Sequence, residues 1–535
     1  MTQFAFAQAS HIGAAQSLVR PTSEAADRIR LSQLAGDTSS IDAFLIRSPS
    51  LLLRRDSSAS GWMLHGIRPD AQLINNTAIP FGPNTGVMVA QRGLSWRVTT
   101  GVEASRGRFR LVVAPDLWFT ANDEFEFGGP LANDIFLPLP EARYGGGFAD
   151  QWYIQPYSAD VPWRRGENSA LRLWLGQSGA WYNTGPVEIG LTSENMWWGP
   201  GIQNAIIMSD NAAGVPRIEL RTPHPIRTRF GAFEARWFVG ALSESQYFDT
   251  VKTNDVRSLT AAVVTWRPAS QPNLSLGVTR AVFATASGYG AVPFRWLDVF
   301  ANTGRPANHP LSDSTLTPGG RDQLFSLFGR WVLPTDGFEF YAEWARQELP
   351  VSLHDLIVRP THSHGYTVGL QYRTPVPLSE PAYRLQFEAT TLEPSAVTRD
   401  EPEGVFYTSR RVIQGYTELG KPIGAAIGPG SSSQWLAIDR VWPTASVGIT
   451  FNRIRSDEGV RAARVWQSYL GQCNQDVSII PGIRGGHALG GGYLSADVRL
   501  ASRLNYHFQN ISGCFGNDWV DVHNTTLSIS FSPFK

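Results

Sequence analysis

The amino-acid sequence predicts an all-β protein, a large antiparallel barrel that crosses a membrane. Three observations support this prediction: long alternations of apolar and polar residues, charged side chains confined to one parity of each alternation, and a composition typical of many strands joined by turns. Successive side chains of a strand point to opposite faces, so period two is the spacing expected of a strand with two different environments.

The longest alternation lies near the C-terminus, in "YLSADVRLASRLNYHFQN". Apolar residues occupy one parity from Leu494 to Phe508, broken only by Ser502, while Asp497 and Arg499 lie on the other. The alternation covers about 15 residues, or about 50 Å at roughly 3.4 Å per residue, whereas strands are usually about five or six residues long. An apolar face opposite a charged face over that length needs lipid on one side and water on the other.

Shorter alternations repeat the pattern in "RFGAFEARWFVGAL", "GFEFYAEWARQ", "AYRLQFEAT" and the last segment, "TTLSISFSPFK". In that last segment Ser528, Ser530 and Ser532 alternate with apolar residues, although the penultimate Phe534 is off the apolar parity. A large soluble β-sandwich or propeller is the alternative. Several long alternations with charges on a single parity favour the barrel.

The composition agrees with a barrel and excludes some functions. Of 535 residues, 18 are Trp, 51 are Gly and 35 are Pro, and the formal net charge is +0. A neutral chain has no global field for nucleic acid, so no nucleic-acid partner is predicted. Lys252, Lys421 and Lys535 are the only lysines, so nearly all positive charge is arginine. GC-rich codon usage explains this bias without function, and the alternative is that guanidinium groups suit carboxylate ligands.

Only two cysteines occur, Cys473 in "GQCNQD" and Cys514 in "SGCFGN". Both stand in polar, loop-like surroundings, so we predict one disulfide between two loops in an oxidising compartment. Two unrelated free thiols are the alternative.

One short helix is predicted near the N-terminus, in "TSEAADRIRLSQLAG". Thr22 or Ser23 can cap its first turn, and Gly36 can end it. After about Gly61 the helical period disappears and period two continues to the end of the chain.

These patterns divide the chain into an N-terminal segment, residues 1–61, and a transmembrane barrel, residues 62–535. Residues 1–9 contain alanines at small-x-small spacing, as expected for the remnant of a signal peptide. No run of 18 apolar residues occurs, so no transmembrane helix is predicted.

Four stretches spread over most of the chain carry a family resemblance. They are "NNTAIPFGPNTGVMVAQRGLS" (residues 75–95), "ENMWWGPGIQNAIIMSDNAAGVPRIEL" (194–220), the strands within residues 338–373, and "GYTELGKPIGAAIGPGSSSQ" (415–434). The second is the most specific, because Trp-Gly-Pro-Gly is followed by Ser-Asp-Asn-Ala. Together they resemble the capsule-assembly outer-membrane proteins known as the Wzi family.

The resemblance implies an outer-membrane barrel of about 18 strands, with a small N-terminal helical segment at its periplasmic end. It also implies a surface lectin that retains capsular polysaccharide at the cell, in the outer membrane of a Gram-negative-type bacterium. The residues after position 61 suffice for eighteen strands of about ten residues each with their turns and loops.

Two adjacent tryptophans, Trp197 and Trp198 in "SENMWWGPG", raise two interpretations. Tryptophan is favoured at the membrane–water interface, so one ring would lie in the membrane girdle and the other at the rim or in the lumen. Alternatively a ring stacks on a sugar while Asn195, Asp210 and Asn211 bind hydroxyl groups. We keep these five residues as the predicted polysaccharide-binding set.

Two Gly-Pro-Gly sequences are predicted to form structural turns, because glycine permits positive φ and proline fixes its own φ. These are Gly199-Pro200-Gly201 and Gly428-Pro429-Gly430.

Metal binding and catalysis find little support. The segment "HDLIVRPTHSHGY" holds His354, Asp355, His362 and His364, but the local sequence supplies no complete tetrahedral set. No Gly-x-Ser-x-Gly elbow occurs. We therefore predict no metal, no cofactor and no catalytic residue.

The predicted function is non-enzymatic: a monomeric barrel that binds acidic capsular or exopolysaccharide by its outer loops and supports capsule assembly or attachment, with outer-membrane lipids and lipopolysaccharide as its surroundings. Arginines facing uronate carboxylates would contribute charge-assisted bonds. One alternative is a diffusion channel or sugar porin with an arginine-lined lumen. Another is an enzyme that modifies envelope polysaccharide.

Overall fold

The protein is described here by a computed structural model over residues 11–36, 43–53, 61–125, 158–249, 251–301, 320–347, 352–395, 405–409, 411–456, 475–506 and 520–533. The predicted signal-peptide remnant at residues 1–9, the predicted Cys473–Cys514 disulfide and Phe534 lie outside these described residues.

The described chain is mostly β-strand, with two short α-helices and three 3-10 helices. In chain order the elements are β1 (His11–Ile12), α1 (Glu24–Leu34), β2 (Ile46–Arg47), a 3-10 helix (Pro49–Leu52), β3 (Met63–Asn76), β4 (Gly93–Arg106), β5 (Phe109–Val113), β6 (Asp116–Thr120), β7 (Ala170–Trp174), β8 (Gly179–Asn183), β9 (Glu188–Thr192), β10 (Trp197–Trp198), β11 (Arg217–Arg221), β12 (Ile226–Thr228), β13 (Gly231–Ser243), β14 (Val256–Pro268), β15 (Leu274–Thr285), 3-10 helices (Tyr289–Arg295 and Asp298–Phe300), β16 (Arg321–Leu333), β17 (Phe338–Arg346), α2 (Leu353–Val358), β18 (His364–Arg373), β19 (Ala382–Thr391), β20 (Thr417–Glu418), β21 (Lys421–Pro422), β22 (Ser432–Val441), β23 (Ala445–Ser456), β24 (Asp476–Leu489), β25 (Gly492–Leu504) and β26 (Val522–Pro533).

The wall of the molecule is one closed antiparallel sheet. Each wall strand pairs with the next, and residues 526–531 of β26 pair with residues 71–76 of β3 to close the ring. Three wall positions are each shared by two short strands, β5 with β6, β7 with β8, and β11 with β12. Counted in this way the barrel has 18 strands, so the predicted fold class is confirmed.

The predicted alternation follows the two faces of this wall. On β25 and β26 the apolar parity, including Val498 and Leu527, is exposed on the outside. Asp497 and Arg499, which lie on the other parity, point inward and form an ion pair of 2.7 Å. The strand itself ends at Leu504, before the alternation does, and residues 507–508 lie outside the described ranges.

Helix α1 lies inside the barrel at the end where the strands are joined by short turns, such as residues 107–108 and 490–491. Ser23 caps it by accepting a hydrogen bond from Ala26 N, which confirms the predicted start. Arg28 donates to the carbonyl of Pro443 in the short turn after β22, and lies over the ring of Tyr493. Short turns face the periplasm in outer-membrane barrels, so α1 lies at the periplasmic end.

One half of the lumen holds a hydrophobic core. Inward residues of β13–β16, among them Phe238, Leu259 and Phe283, are buried against apolar residues of the segment 193–216. Apolar area removed from water contributes roughly 25 cal/mol per Å², so this contact holds the segment inside the wall. No helix within the described ranges is long and apolar enough to span a bilayer.

A new charge should destabilise the barrel on the outer face of the wall more than on the inner face. We expect Val498→Arg, which places a guanidinium on the lipid side of β25, to lower the free energy of unfolding by about 2–4 kcal/mol near the bilayer midplane. Ser528→Arg is the matched control, because Ser528 lies directly opposite Asp497 and lines an interior cavity. Denaturant unfolding in lipid vesicles measures both, and an equal loss in the two variants would contradict the assignment of faces.

Candidate functional site

The candidate site is the lumen, because the chain segments that carry the family resemblance fold into it. After β9 the chain turns into the barrel and runs through residues 193–216, nearly all of them buried, before it rejoins the wall at β11. Inside, β10 pairs antiparallel with β2, so the N-terminal and central segments form a two-stranded sheet within the lumen. Gly199 N donates to Leu45 O at 2.9 Å and extends this pairing.

Trp197 and Trp198 are both fully buried in this interior sheet. Trp198 contacts Phe238 of the wall at a ring distance of 5.7 Å, and the guanidinium of Arg47 lies 4.9 Å from the ring of Trp197. The expected place of one ring in the membrane girdle is therefore wrong. The expectation assumed that adjacent residues of a wall strand face lipid and lumen in turn. Strand β10 is not a wall strand, and it has protein on both faces.

The three polar members of the predicted polysaccharide-binding set are also buried and have protein partners. Asn195 accepts a hydrogen bond from Gln177 and donates to the carbonyl of Ala212. Asp210 and Asn211 bind other segments of the interior. The predicted role of Asn195, Trp197, Trp198, Asp210 and Asn211 in polysaccharide binding stays a prediction, and in this structure their contacts join interior segments to one another.

Three resemblance segments meet at Asp210 and Asn211. The carbonyl of Asp210 accepts from Gly86 N at 2.7 Å, and the side chain of Asn211 donates to Pro422 O at 2.9 Å. The ammonium group of Lys421 donates to Thr85 Oγ1 and to the carbonyls of residues 86 and 88. Burial, followed by the nearby Arg165, lowers the pKa of Lys421 well below its ordinary value. Segments that lie more than a hundred residues apart in sequence thus contact one another inside the barrel.

The first Gly-Pro-Gly turn needs its glycines. Gly199 has φ +106°, and a Cβ on Gly201 would lie 1.9 Å from Asn204 O. The turn is fixed by a wall carboxylate, since Glu388 accepts hydrogen bonds from the backbone N–H groups of residues 202, 203 and 204. In the second predicted turn, Gly428 and Gly430 also have positive φ and flank Pro429, as Gly199 and Gly201 flank Pro200.

Arg20 connects the N-terminal segment to the wall and to the central segment. Its guanidinium donates to Asp116 on β6 and lies 3.4 Å from Asp70 on β3 and 3.7 Å from Asp210. Burial works to lower the pKa of Arg20, but Asp116, Asp210 and Asp70 together raise it above its ordinary value. Burial raises the pKa of Asp210 in turn, with Arg20 opposing the rise. All four side chains are buried, so their charges depend on one another.

A second buried ion-pair group holds the start of the central segment. Glu194 lies 3.0 Å from Arg221 and 3.8 Å from both Arg217 and Arg236. It also accepts from Ser50 N, which ties in the N-terminal segment. Sequence reasoning missed Arg20 and Glu194, although the charged parity of "RIELR" at residues 217–221 pointed to inward arginines that need carboxylate partners.

A cavity of about 260 Å³ lies in the polar half of the lumen, between α1 and the wall. Serines of β23, β25 and β26 line it together with seven arginines, each from a different segment of the chain. Glu24, in the first turn of α1, also borders it. Burial and then the neighbouring Asp27 raise the pKa of Glu24 to about 7.

The histidines considered for metal binding are not brought together with a third ligand in the described structure. His354 and Asp355 lie on α2, and His364 begins β18 with its ring stacked on Tyr366. The one grouping of three potential ligands among the described residues is Glu244, Asp249 and Asp255, in the connection after β13. The absence of a metal, a cofactor and a catalytic residue stays a prediction.

Removing Arg20 should destabilise the whole interior. We expect Arg20→Ala to lower the free energy of unfolding by about 3–5 kcal/mol, because three buried carboxylates lose a shared cation. Arg20→Lys should lower the free energy of unfolding by less than Arg20→Ala does, since lysine keeps the charge but lacks the planar fork. Arg440→Ala, at an arginine stacked on Tyr383 at the short-turn end, is the control. A thermal unfolding midpoint for Arg20→Ala equal to that of this control would mean that Arg20 does not stabilise the interior.

Comparisons with known proteins agree with this architecture. A family model described as capsule assembly protein Wzi matches residues 93–460, more than half of the chain. Among solved structures, Wzi from Escherichia coli, an outer-membrane protein involved in group 1 capsule assembly and described as a carbohydrate-binding β-barrel, is similar with a TM-score of 0.52 and 11% identity over 87% of this chain and 85% of that one. At that identity the likeness shows the fold alone.

Other barrels are less similar. OccAB2 of Acinetobacter baumannii has a TM-score of 0.39 and 10% identity over 87% of this chain and 97% of that one. OpdK of Pseudomonas aeruginosa, solved with vanillate, has a TM-score of 0.38 and 9% identity over 86% and 97%. No curated protein sequence matches the chain at a significant level. On the family match, this chain belongs to the Wzi family of capsule assembly proteins and lies in the outer membrane of a Gram-negative bacterium.

Proposed function

We propose that this protein binds acidic capsular polysaccharide at the cell surface as a monomer, and that it supports capsule assembly or attachment without a chemical reaction on the polymer. The observation that carries the proposal is the filling of the lumen by the protein's own chain. Family membership supports the link to the capsule, and the filled lumen favours binding at the surface over passage through the barrel.

The filling matters because barrels of this strand number otherwise enclose an aqueous channel. Here α1, residues 193–216 and residues 411–431 occupy the interior and are held by buried ion pairs and by a hydrophobic core. A solute that crossed the barrel would have to displace these contacts. A protein that only conducts would not need such an interior, so we favour binding over the porin alternative.

The buried residues of the predicted binding set have a supporting role in this proposal. Trp197, Trp198 and Asn211 hold the interior segments that lie beneath the outer loops, and the ligand would contact the loops above them. Arginines are suited to uronate carboxylates, because their planar fork donates two charge-assisted hydrogen bonds.

The test measures binding and capsule retention together. Purified protein in detergent is titrated with capsular polysaccharide from its own strain, and a deletion strain is examined for polymer bound to cells and released into the medium. We expect saturable binding, release of polymer of unchanged size and substitution from the deletion strain, and restoration by the intact gene.

Two outcomes would contradict the proposal. The first is no binding together with a capsule that stays attached after deletion. The second is polymer that becomes shorter or changes its substituents on incubation with the protein, which would favour an enzyme. Neutral dextran is the control ligand, because it tests whether binding needs the acidic groups.

A further inference from the structure

The connection after β15 folds back over the outside of the barrel. Residues 286–301 contain two 3-10 helices and lie against the outward face of β13–β15. Trp296 and Phe300 contact Trp237, an outward residue of β13, at ring distances of 5.0 and 5.3 Å. Thr260 on β14 donates to the carbonyl of Arg295 at 2.8 Å. We call residues 286–301 the outer wrap.

The outer wrap leaves large apolar side chains exposed on the outside of the barrel. Tyr289, Phe294, Leu297 and Phe300 are 63%, 88%, 66% and 68% exposed. Aromatic and leucine side chains exposed in one short segment are unfavourable in water. They are continuous with the lipid-facing wall, because the outer wrap covers part of that wall. The environment that fits them is therefore the acyl layer of the membrane.

Arginines surround the same segment. Arg295 of the outer wrap and Arg321 of β16 lie 3.4 and 3.1 Å from the single carboxylate of Asp298. Arg280, on β15, donates to the carbonyl of Ala301. Two guanidinium groups of this patch therefore share one carboxylate, and the side chains of Arg295 and Arg321 stay partly exposed.

The position of the outer wrap and its arginines in the membrane indicates which kind of ligand they bind. β15 begins at a short turn and ends at the outer wrap, so the patch lies in the outer half of the membrane. Apolar rings in the acyl layer with guanidinium groups beside them match a lipid that carries phosphate on its headgroup, since the guanidinium fork binds phosphate by two parallel hydrogen bonds.

We propose that the outer wrap binds a phosphorylated glycolipid of the outer leaflet, with acyl chains on Phe294, Leu297 and Phe300 and a phosphate on Arg295 and Arg321. This binding is independent of the proposed binding of capsular polysaccharide. It gives the barrel a defined lipid contact on one side, at β13–β16.

The test uses two forms of one lipid. Purified protein in mild detergent is titrated with bis-phosphorylated lipid A, or with the same lipid A after both phosphates are removed, and bound lipid is counted by native mass spectrometry. We expect the Arg295→Gln, Arg321→Gln double variant to lose about tenfold in affinity for the phosphorylated form. Its affinity for the dephosphorylated form should not change.

A second variant tests the apolar contact. Phe294→Ser with Leu297→Ser should weaken the binding of both lipid forms. Phe230→Ser and Arg440→Gln, at the short-turn end, are the matched controls, because Phe230 is also largely exposed and Arg440 lies near the opposite interface. All six substituted residues lie on the outside of the barrel, so folding, checked by heat-dependent mobility on gels, should persist.

Three results would overturn the proposal: wild-type affinity in both wrap variants, equal loss in the controls, or a wild type that binds the two lipid forms equally. Capsule retention is measured in the same variants and should be unchanged. A protein that binds lipid A but no polysaccharide would refute the proposed function and leave this inference standing.

Discussion

The structure depends on the neutralisation of buried charge inside a barrel. Arg20 shares its guanidinium among Asp70, Asp116 and Asp210, and so joins the N-terminal segment, two wall strands and the central segment at one point. Each of these carboxylates would be unfavourable in the interior without a cation. Because the partners come from distant parts of the chain, this contact needs both the N-terminal and the central segment inside the barrel.

The two halves of the lumen hold these segments by different means. Along β13–β16 the wall is apolar on its inner face and packs against Trp198 and its neighbours. Along β23–β26 the inner face carries serines and ion pairs and borders a cavity. The segments that resemble the Wzi family meet between the two halves, which gives a physical reason for their residue types: glycines where the backbone turns sharply, amides and a lysine where backbone carbonyls need donors.

Sequence reasoning predicted the wall well and the interior poorly. The parity of Val498 against Asp497 decides which face meets lipid, and that information is local. In β14, "VRSLTAAVVTWRP", both parities are largely apolar, because one face meets lipid and the other meets residues 193–216. Nothing local distinguishes these two apolar environments. For the same reason Trp197 and Trp198 were expected near the membrane surface, although they form an interior strand with Ile46 and Arg47.

The conductance of the intact protein in planar bilayers shows whether the chain fills its own lumen. A filled lumen predicts that the protein inserts without a steady open-channel current, and that removal of residues 11–53, which takes away Arg20 and α1, produces current through the vacated space. A steady current from the intact protein, unchanged by that removal, would mean that the lumen is open and that the protein is a porin.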